Sequence, residues 1–140
     1  MNPATFALRR GALLGSTMLL AIALAACAAG DVDDNGNGAG VTATVVDGVV
    51  EIRADDLLFD ADVIEAPAGE PFTIRFTNEE GMPHNISVYT EEGGETIVLG
   101  NVIGEGETDE VEVPALEAGE YFFVCDVHRE EMTGTLVIEG

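Results

Sequence analysis

Three residue types with metal-binding chemistry fall in one stretch, Cys125-Asp126-Val127-His128-Arg129-Glu130-Glu131-Met132. Thiolate, imidazole and thioether are soft or intermediate donors, the kind that select copper over hard cations. Cys125 and His128 are three positions apart, so one tight loop can aim both at a point, and Met132 is reachable from the far side of that loop. A second imidazole would have to come from elsewhere. The chain has only two histidines, and the other, His84, stands in Gly81-Met82-Pro83-His84-Asn85, where Pro83 stiffens its approach.

Two imidazoles and a thiolate, with a weak axial thioether, describe a blue-copper electron-transfer centre. Zinc fits less well, because it favours a fourth Cys, His or carboxylate over a thioether. Haem attachment through Cys-x-x-Cys-His is absent, and no Ser-His-Asp grouping is evident. A Cys125–His128 nucleophile stays conceivable, but it needs an oxyanion hole and a substrate cleft that a small domain does not advertise. The bland alternative is a buried structural cysteine beside two structural histidines. It must explain all four residues at once, so a metal site without enzymatic activity is the expectation.

The elements that must position these residues read as β-strands. Phe72-Thr73-Ile74-Arg75-Phe76-Thr77-Asn78 alternates strictly, which places Phe72, Ile74 and Phe76 on one buried face. Val49 to Arg53 follows a turn at Asp47-Gly48, and Ile86 to Tyr89 resumes alternation after His84. Tyr121 to Val124 leads directly into Cys125, and Thr135 to Ile138 forms the last strand. Leu57 to Phe59, Val63 to Glu65, Ile97 to Leu99 and Val111 to Val113 are shorter candidates. The residues between Leu99 and Val111 are too polar to contribute to a core. Short strands separated by Gly and Pro turns, without a helical period, predict an all-β antiparallel sandwich or barrel.

The remaining chain divides by composition. Residues 1–26 carry Arg9 and Arg10 before an apolar stretch from Ala12 to Ala26, shorter than the ~20 residues a membrane span needs. That pattern predicts a secretory signal. Its end, Leu24-Ala25-Ala26-Cys27, resembles the lipobox of bacterial lipoproteins, which implies lipidation at Cys27 and a lipid anchor in the membrane. Arg9-Arg10 could instead belong to a twin-arginine export signal, and nothing around the pair strengthens that reading. Residues 27–40 are rich in Gly, Asn and Asp and predict a flexible tether, leaving residues 41–140 as one domain. The 27 acidic residues face five Arg and no Lys, a net charge of −22 that makes nucleic acid an improbable partner. The acidity suits a solvated surface or steering toward a basic partner.

The two histidine-bearing motifs together support a family resemblance. Gly81-Met82-Pro83-His84-Asn85 resembles the first copper-ligand motif of plastocyanin-like cupredoxins. Gly119-Glu120-Tyr121-Phe122-Phe123-Val124-Cys125-Asp126-Val127-His128, with Met132-Thr133-Gly134-Thr135-Leu136, resembles their C-terminal ligand loop. The likeness covers about Val49 to Ile138. It implies a Greek-key β-sandwich with one copper ion, cycling between Cu(I) and Cu(II), on His84, Cys125, His128 and Met132. Asn85 would tie the two ligand loops together, with Pro83 also behind the ligands, and His128 would be the electron exit. Arg129-Glu130-Glu131 departs from the apolar docking patch usual at that place. The expected protein is a monomeric carrier, lipid-anchored outside the cytoplasm at a periplasmic or cell-surface membrane, that passes single electrons to redox partner proteins. A copper-holding or copper-delivery protein, or a domain serving a larger redox complex, are the alternatives.

Overall fold

The structure is a computed structural model that describes residues 40–140. The expected signal segment, Cys27 and the tether up to Ala39 lie outside the described residues. Ten strands form two facing sheets, and no helix occurs among the described residues. They are β1 (Thr42–Thr44), β2 (Val49–Asp55), β3 (Leu58–Phe59), β4 (Val63–Pro67), β5 (Phe72–Asn78), β6 (Ser87–Tyr89), β7 (Thr96–Val98), β8 (Thr108–Val113), β9 (Gly119–Val124) and β10 (Thr133–Glu139).

The six-stranded sheet runs β1-β4-β10-β9-β6-β7, and the four-stranded sheet runs β3-β2-β5-β8. Strand β5 shows why the sequence chooses this form. Phe72, Ile74 and Phe76 are buried while Thr73, Arg75 and Thr77 are half-buried, as a period of two demands. On the outer face Arg75 lies opposite both Glu51 and Glu110 and pairs with each, at 3.0 and 3.3 Å. Phe59 joins the layers: its ring stands edge-on to Phe76 at 5.9 Å and 5.4 Å from Phe123 of the other sheet. The turn before β2 uses Asp47 and Gly48, both at positive φ, so that Val46 bridges Val49.

Two expectations are corrected. The sheets are mixed rather than antiparallel, because β4 runs parallel to β1 and β10, and β2 runs parallel to β5. Turn residues mark where the chain reverses, yet they do not distinguish a hairpin from a corner that carries the chain to the facing sheet. The segment between Leu99 and Val111 also contributes to the core, through the buried Ile103.

Candidate metal centre

Each ligand candidate is delivered by backbone pairing. Val124 ends β9 and lies opposite Thr133 of β10 and Ser87 of β6. Cys125 follows one position later, and its N–H donates to the Met132 carbonyl at 2.9 Å, extending the β9–β10 ladder by a rung. Inside that rung the loop closes on itself: His128 N–H donates to the Cys125 carbonyl at 3.2 Å, and Met132 N–H to the His128 carbonyl at 3.0 Å. His84 is fixed from the other side. Its N–H and carbonyl pair with Ile103 at 3.1 and 2.9 Å, an isolated antiparallel bridge.

These supports bring three donor atoms together. His84 Nδ1 lies 3.7 Å from Cys125 Sγ, His128 Nδ1 lies 3.8 Å from the same sulfur, and the two Nδ1 atoms are 3.1 Å apart. The circle through three points at these separations has a radius of about 2.1 Å, the product of the sides over four times the triangle's area. Metal–nitrogen and metal–sulfur bonds to such ligands measure about 2.0–2.1 and 2.3 Å. One ion therefore fits among the three donors with little rearrangement. His84 and Cys125 are fully buried, while His128 is partly exposed. Met132 is 1% exposed and shares the core cluster of Cys125.

The surroundings are polar in a directed way. Burial pushes the His84 pKa below its ordinary value, with the Glu80 carboxylate partly opposing that shift and His128 adding to it. Asp126 gathers the largest hydrogen-bond group of the site. Its carboxylate accepts from Ser87 Oγ at 2.6 Å, Tyr89 Oη at 2.7 Å, Asn85 Nδ2 at 3.0 Å and Arg129 Nη1 at 2.9 Å. Burial alone would raise its pKa, but Ser87, Tyr89 and Asn85, helped by Arg129, outweigh it and hold the group below the usual carboxylate range. Asp126 N–H in turn donates to Asn85 Oδ1 at 2.7 Å. Arg129 also lies over the Tyr89 ring, 5.0 Å from its centroid.

His84, Cys125 and His128 are thus brought to one point, and Asn85 joins the loop that follows Cys125. Pro83 is exposed beside the buried His84. Four residues that sequence reasoning passed over hold the site: Asp126, Ser87, Asn78 and Ile103. Asn78 is fully buried and donates through Nδ2 to the carbonyls of Met82 at 2.7 Å and Ile103 at 3.1 Å, joining both segments that frame His84. One signal was present in the sequence: Asn78 occupies a buried-phase position at the end of the β5 alternation, where an amide needs partners.

Fold and cluster together define an all-β sandwich protein with two imidazoles and a thiolate converging beyond the ends of its strands. The chain belongs to the cupredoxin-like domain family, whose model matches residues 17–138. No curated protein matches it. Among solved structures it is similar to dithionite-reduced auracyanin from the photosynthetic bacterium Roseiflexus castenholzii, with a TM-score of 0.61 at 20% identity over 69% of this chain and 100% of that one. It is also similar to auracyanin A, described as a "blue" copper protein, from the green thermophilic photosynthetic bacterium Chloroflexus aurantiacus. That match has a TM-score of 0.59 at 26% identity, over 69% of this chain and 99% of the other. A reduced amicyanin variant matches with a TM-score of 0.51 at 25% identity, over 68% and 86% of the two chains.

Proposed function

We propose that the protein is a blue-copper electron carrier in which His84 Nδ1, Cys125 Sγ and His128 Nδ1 would hold one copper ion, with the Met132 thioether as a further, weaker donor. The observation that carries this reading is the triangle of buried donors, whose size suits one ion and whose chemistry suits copper. Copper would supply a one-electron couple, Cu(II)/Cu(I), at that point. The chain's own part is to hold its donors in place and exclude water. Both imidazoles must present Nδ1 lone pairs inward, which puts their protons on Nε2. Two such lone pairs 3.1 Å apart repel one another, and a cation among them would remove that repulsion. Strand pairing on both sides of Val124 and the Ile103 bridge hold Cys125 and His84 where they are, so little reorganisation accompanies a change of charge.

Electrons would leave through His128, the donor that is not fully buried, toward redox partner proteins that meet a strongly acidic surface. We place the protein outside the cytoplasm as a monomeric carrier rather than an enzyme, anchored to a membrane by lipid on Cys27 and held off it by residues 28–40. The full burial of Cys125 and His84 favours retention of the ion over its delivery. The deciding experiment is the visible spectrum of the Cu(II)-loaded protein. An intense thiolate-to-copper charge-transfer band is expected, and Cys125→Ser abolishes it. A colourless protein with full copper occupancy refutes the assignment. Mass spectrometry of the mature N-terminus tests the anchor, with acylated Cys27 expected.

A further inference from the structure

We infer that Glu80 is a positioning residue that sets the tautomer of His84 and lowers the reduction potential of the centre. The inference rests on His84 being a copper ligand and concerns the opposite edge of its ring. Glu80 Oε1 lies 2.8 Å from His84 Nε2, an atom buried away from solvent with no other polar partner. The contact has hydrogen-bond length but lies off the N–H axis. Among the described residues no other acceptor reaches Nε2, so Glu80 supplies the negative charge beside that edge of the ring.

Glu80 is not a surface side chain in passing contact. It is only 17% exposed. Its N–H donates to Asn78 Oδ1 at 3.0 Å, and Asn78 is the fully buried amide that also holds Met82 and Ile103 on either side of His84. Its Oε1 accepts from Leu57 N–H at 2.8 Å as well. That second bond explains another oddity of the fold. Asp56 and Leu57 form the two-residue turn between β2 and β3, both at positive φ (52° and 60°), where Gly or Asn is the usual choice. One carboxylate oxygen therefore serves a strained turn and a buried imidazole together.

For the centre, the consequence is electrostatic. An acceptor at Nε2 keeps the proton there and leaves Nδ1 free to bind metal, the role that carboxylates play behind metal-bound histidines elsewhere. Its negative charge makes the imidazole a stronger donor and favours the more highly charged oxidised ion. The reduction potential falls accordingly.

Glu80→Gln keeps an oxygen for Leu57 and removes the charge. Loss of such a partner costs about 10–100-fold in metal affinity. A loss of about tenfold that falls on Cu(II) and spares Cu(I) raises the potential by about 59 mV, the constant for one electron. In the metal-free protein, the His84 Nε2 proton is expected to be slowly exchanging by NMR and to exchange about tenfold faster in Glu80→Ala. If Glu80→Gln folds poorly, the comparison is made in Leu57→Gly, where the turn no longer depends on the carboxylate. A purely structural Glu80 would leave the potential of Leu57→Gly and of Leu57→Gly/Glu80→Gln equal, and that result overturns the inference. So does an unchanged potential in Glu80→Gln together with unchanged proton exchange in Glu80→Ala. Failure of the copper reading looks different: the wild-type protein itself lacks the charge-transfer band, whatever stands at position 80.

Discussion

Replacing Asp126 by Ala tests whether the hydrogen-bond group behind Cys125 holds the site together. Four donors lose their acceptor, and three of them belong to the buried residues Ser87, Tyr89 and Asn85. A buried donor left unsatisfied costs about 1–3 kcal/mol. The full sum is an overestimate, because the Asp126 side chain is 25% exposed and water can enter the space it leaves. Asn85 Nδ2 still reaches Gly100 O and Ser87 Oγ, whereas Ser87 Oγ keeps only donors, Asn85 Nδ2 and Gly100 N–H, and loses the acceptor of its own proton. Ser87 Oγ and Tyr89 Oη, with no other acceptor among the described residues, bear the largest share. The Arg129 pair is half-exposed and adds about 0–1 kcal/mol. The expected destabilisation of the metal-free protein is about 2–4 kcal/mol by urea unfolding, a Tm lower by roughly 10–25 °C for a domain of this size. Asp126→Asn keeps one acceptor and should cost about half as much. A double-mutant cycle with Tyr89→Phe should show coupling of about 1 kcal/mol, since Tyr89 has nothing to lose once Asp126 is gone. A cost below about 0.5 kcal/mol for Asp126→Ala, typical of a featureless surface position, refutes the account.

Other consequences can be checked separately. A Cβ on Gly134 would overlap the ring of the fully buried Phe123, its cross-strand partner, so Gly134→Ala should cost about 1–3 kcal/mol in urea unfolding, partly recovered by adding Phe123→Leu. Met132→Leu conserves volume and should cost under about 1.5 kcal/mol in the metal-free protein. In the copper-loaded protein it removes a weak donor, so the potential should rise and the visible spectrum should shift; no change in either would remove Met132 from the ligand set. Burial, with the Asp126 carboxylate adding to it, raises the pKa of Tyr89. A raised pKa means that the associated stability is complete below the ordinary tyrosine value of about 10 and is lost as pH rises through the higher folded value. Absorbance titration should show a late phenolate phase that Tyr89→Phe removes, and an early single phase would contradict the burial argument.

Much of this was legible in the sequence because the informative residues are rare. With two histidines and one cysteine in residues 41–140, their spacing near strand ends could be read directly, and the alternation of Phe72, Ile74 and Phe76 identified β5. The polar framework was hidden for the opposite reason. Asp126 and Glu80 are two of 27 acidic residues, and nothing local separates a carboxylate closed by four donors from one facing water. Ile103 was missed because a single bridging residue has no period. The parallel pairing escaped because it joins strands far apart in the chain, which no local pattern encodes.

Part of this framework was expected in Asn85, while its partner Asp126 was not. Asn85, next to His84, and Asp126, next to Cys125, bond in both directions: Asp126 N–H to Asn85 Oδ1, and Asn85 Nδ2 to Asp126 Oδ2. The segments that carry His84 and Cys125 are thus locked together by protein hydrogen bonds. Asn85 Nδ2 meets three acceptors with two protons, so one proton is shared and the amide is held from several directions. These bonds stand behind donors that lie 3.1–3.8 Å from one another. His128 is the exception. It rests on turns within its own loop, beside the exposed Val127 and Arg129, and among the described residues nothing equivalent to Asn85 grips it. The centre therefore sets two fully buried donors, His84 and Cys125, beside a third, His128, that is partly exposed.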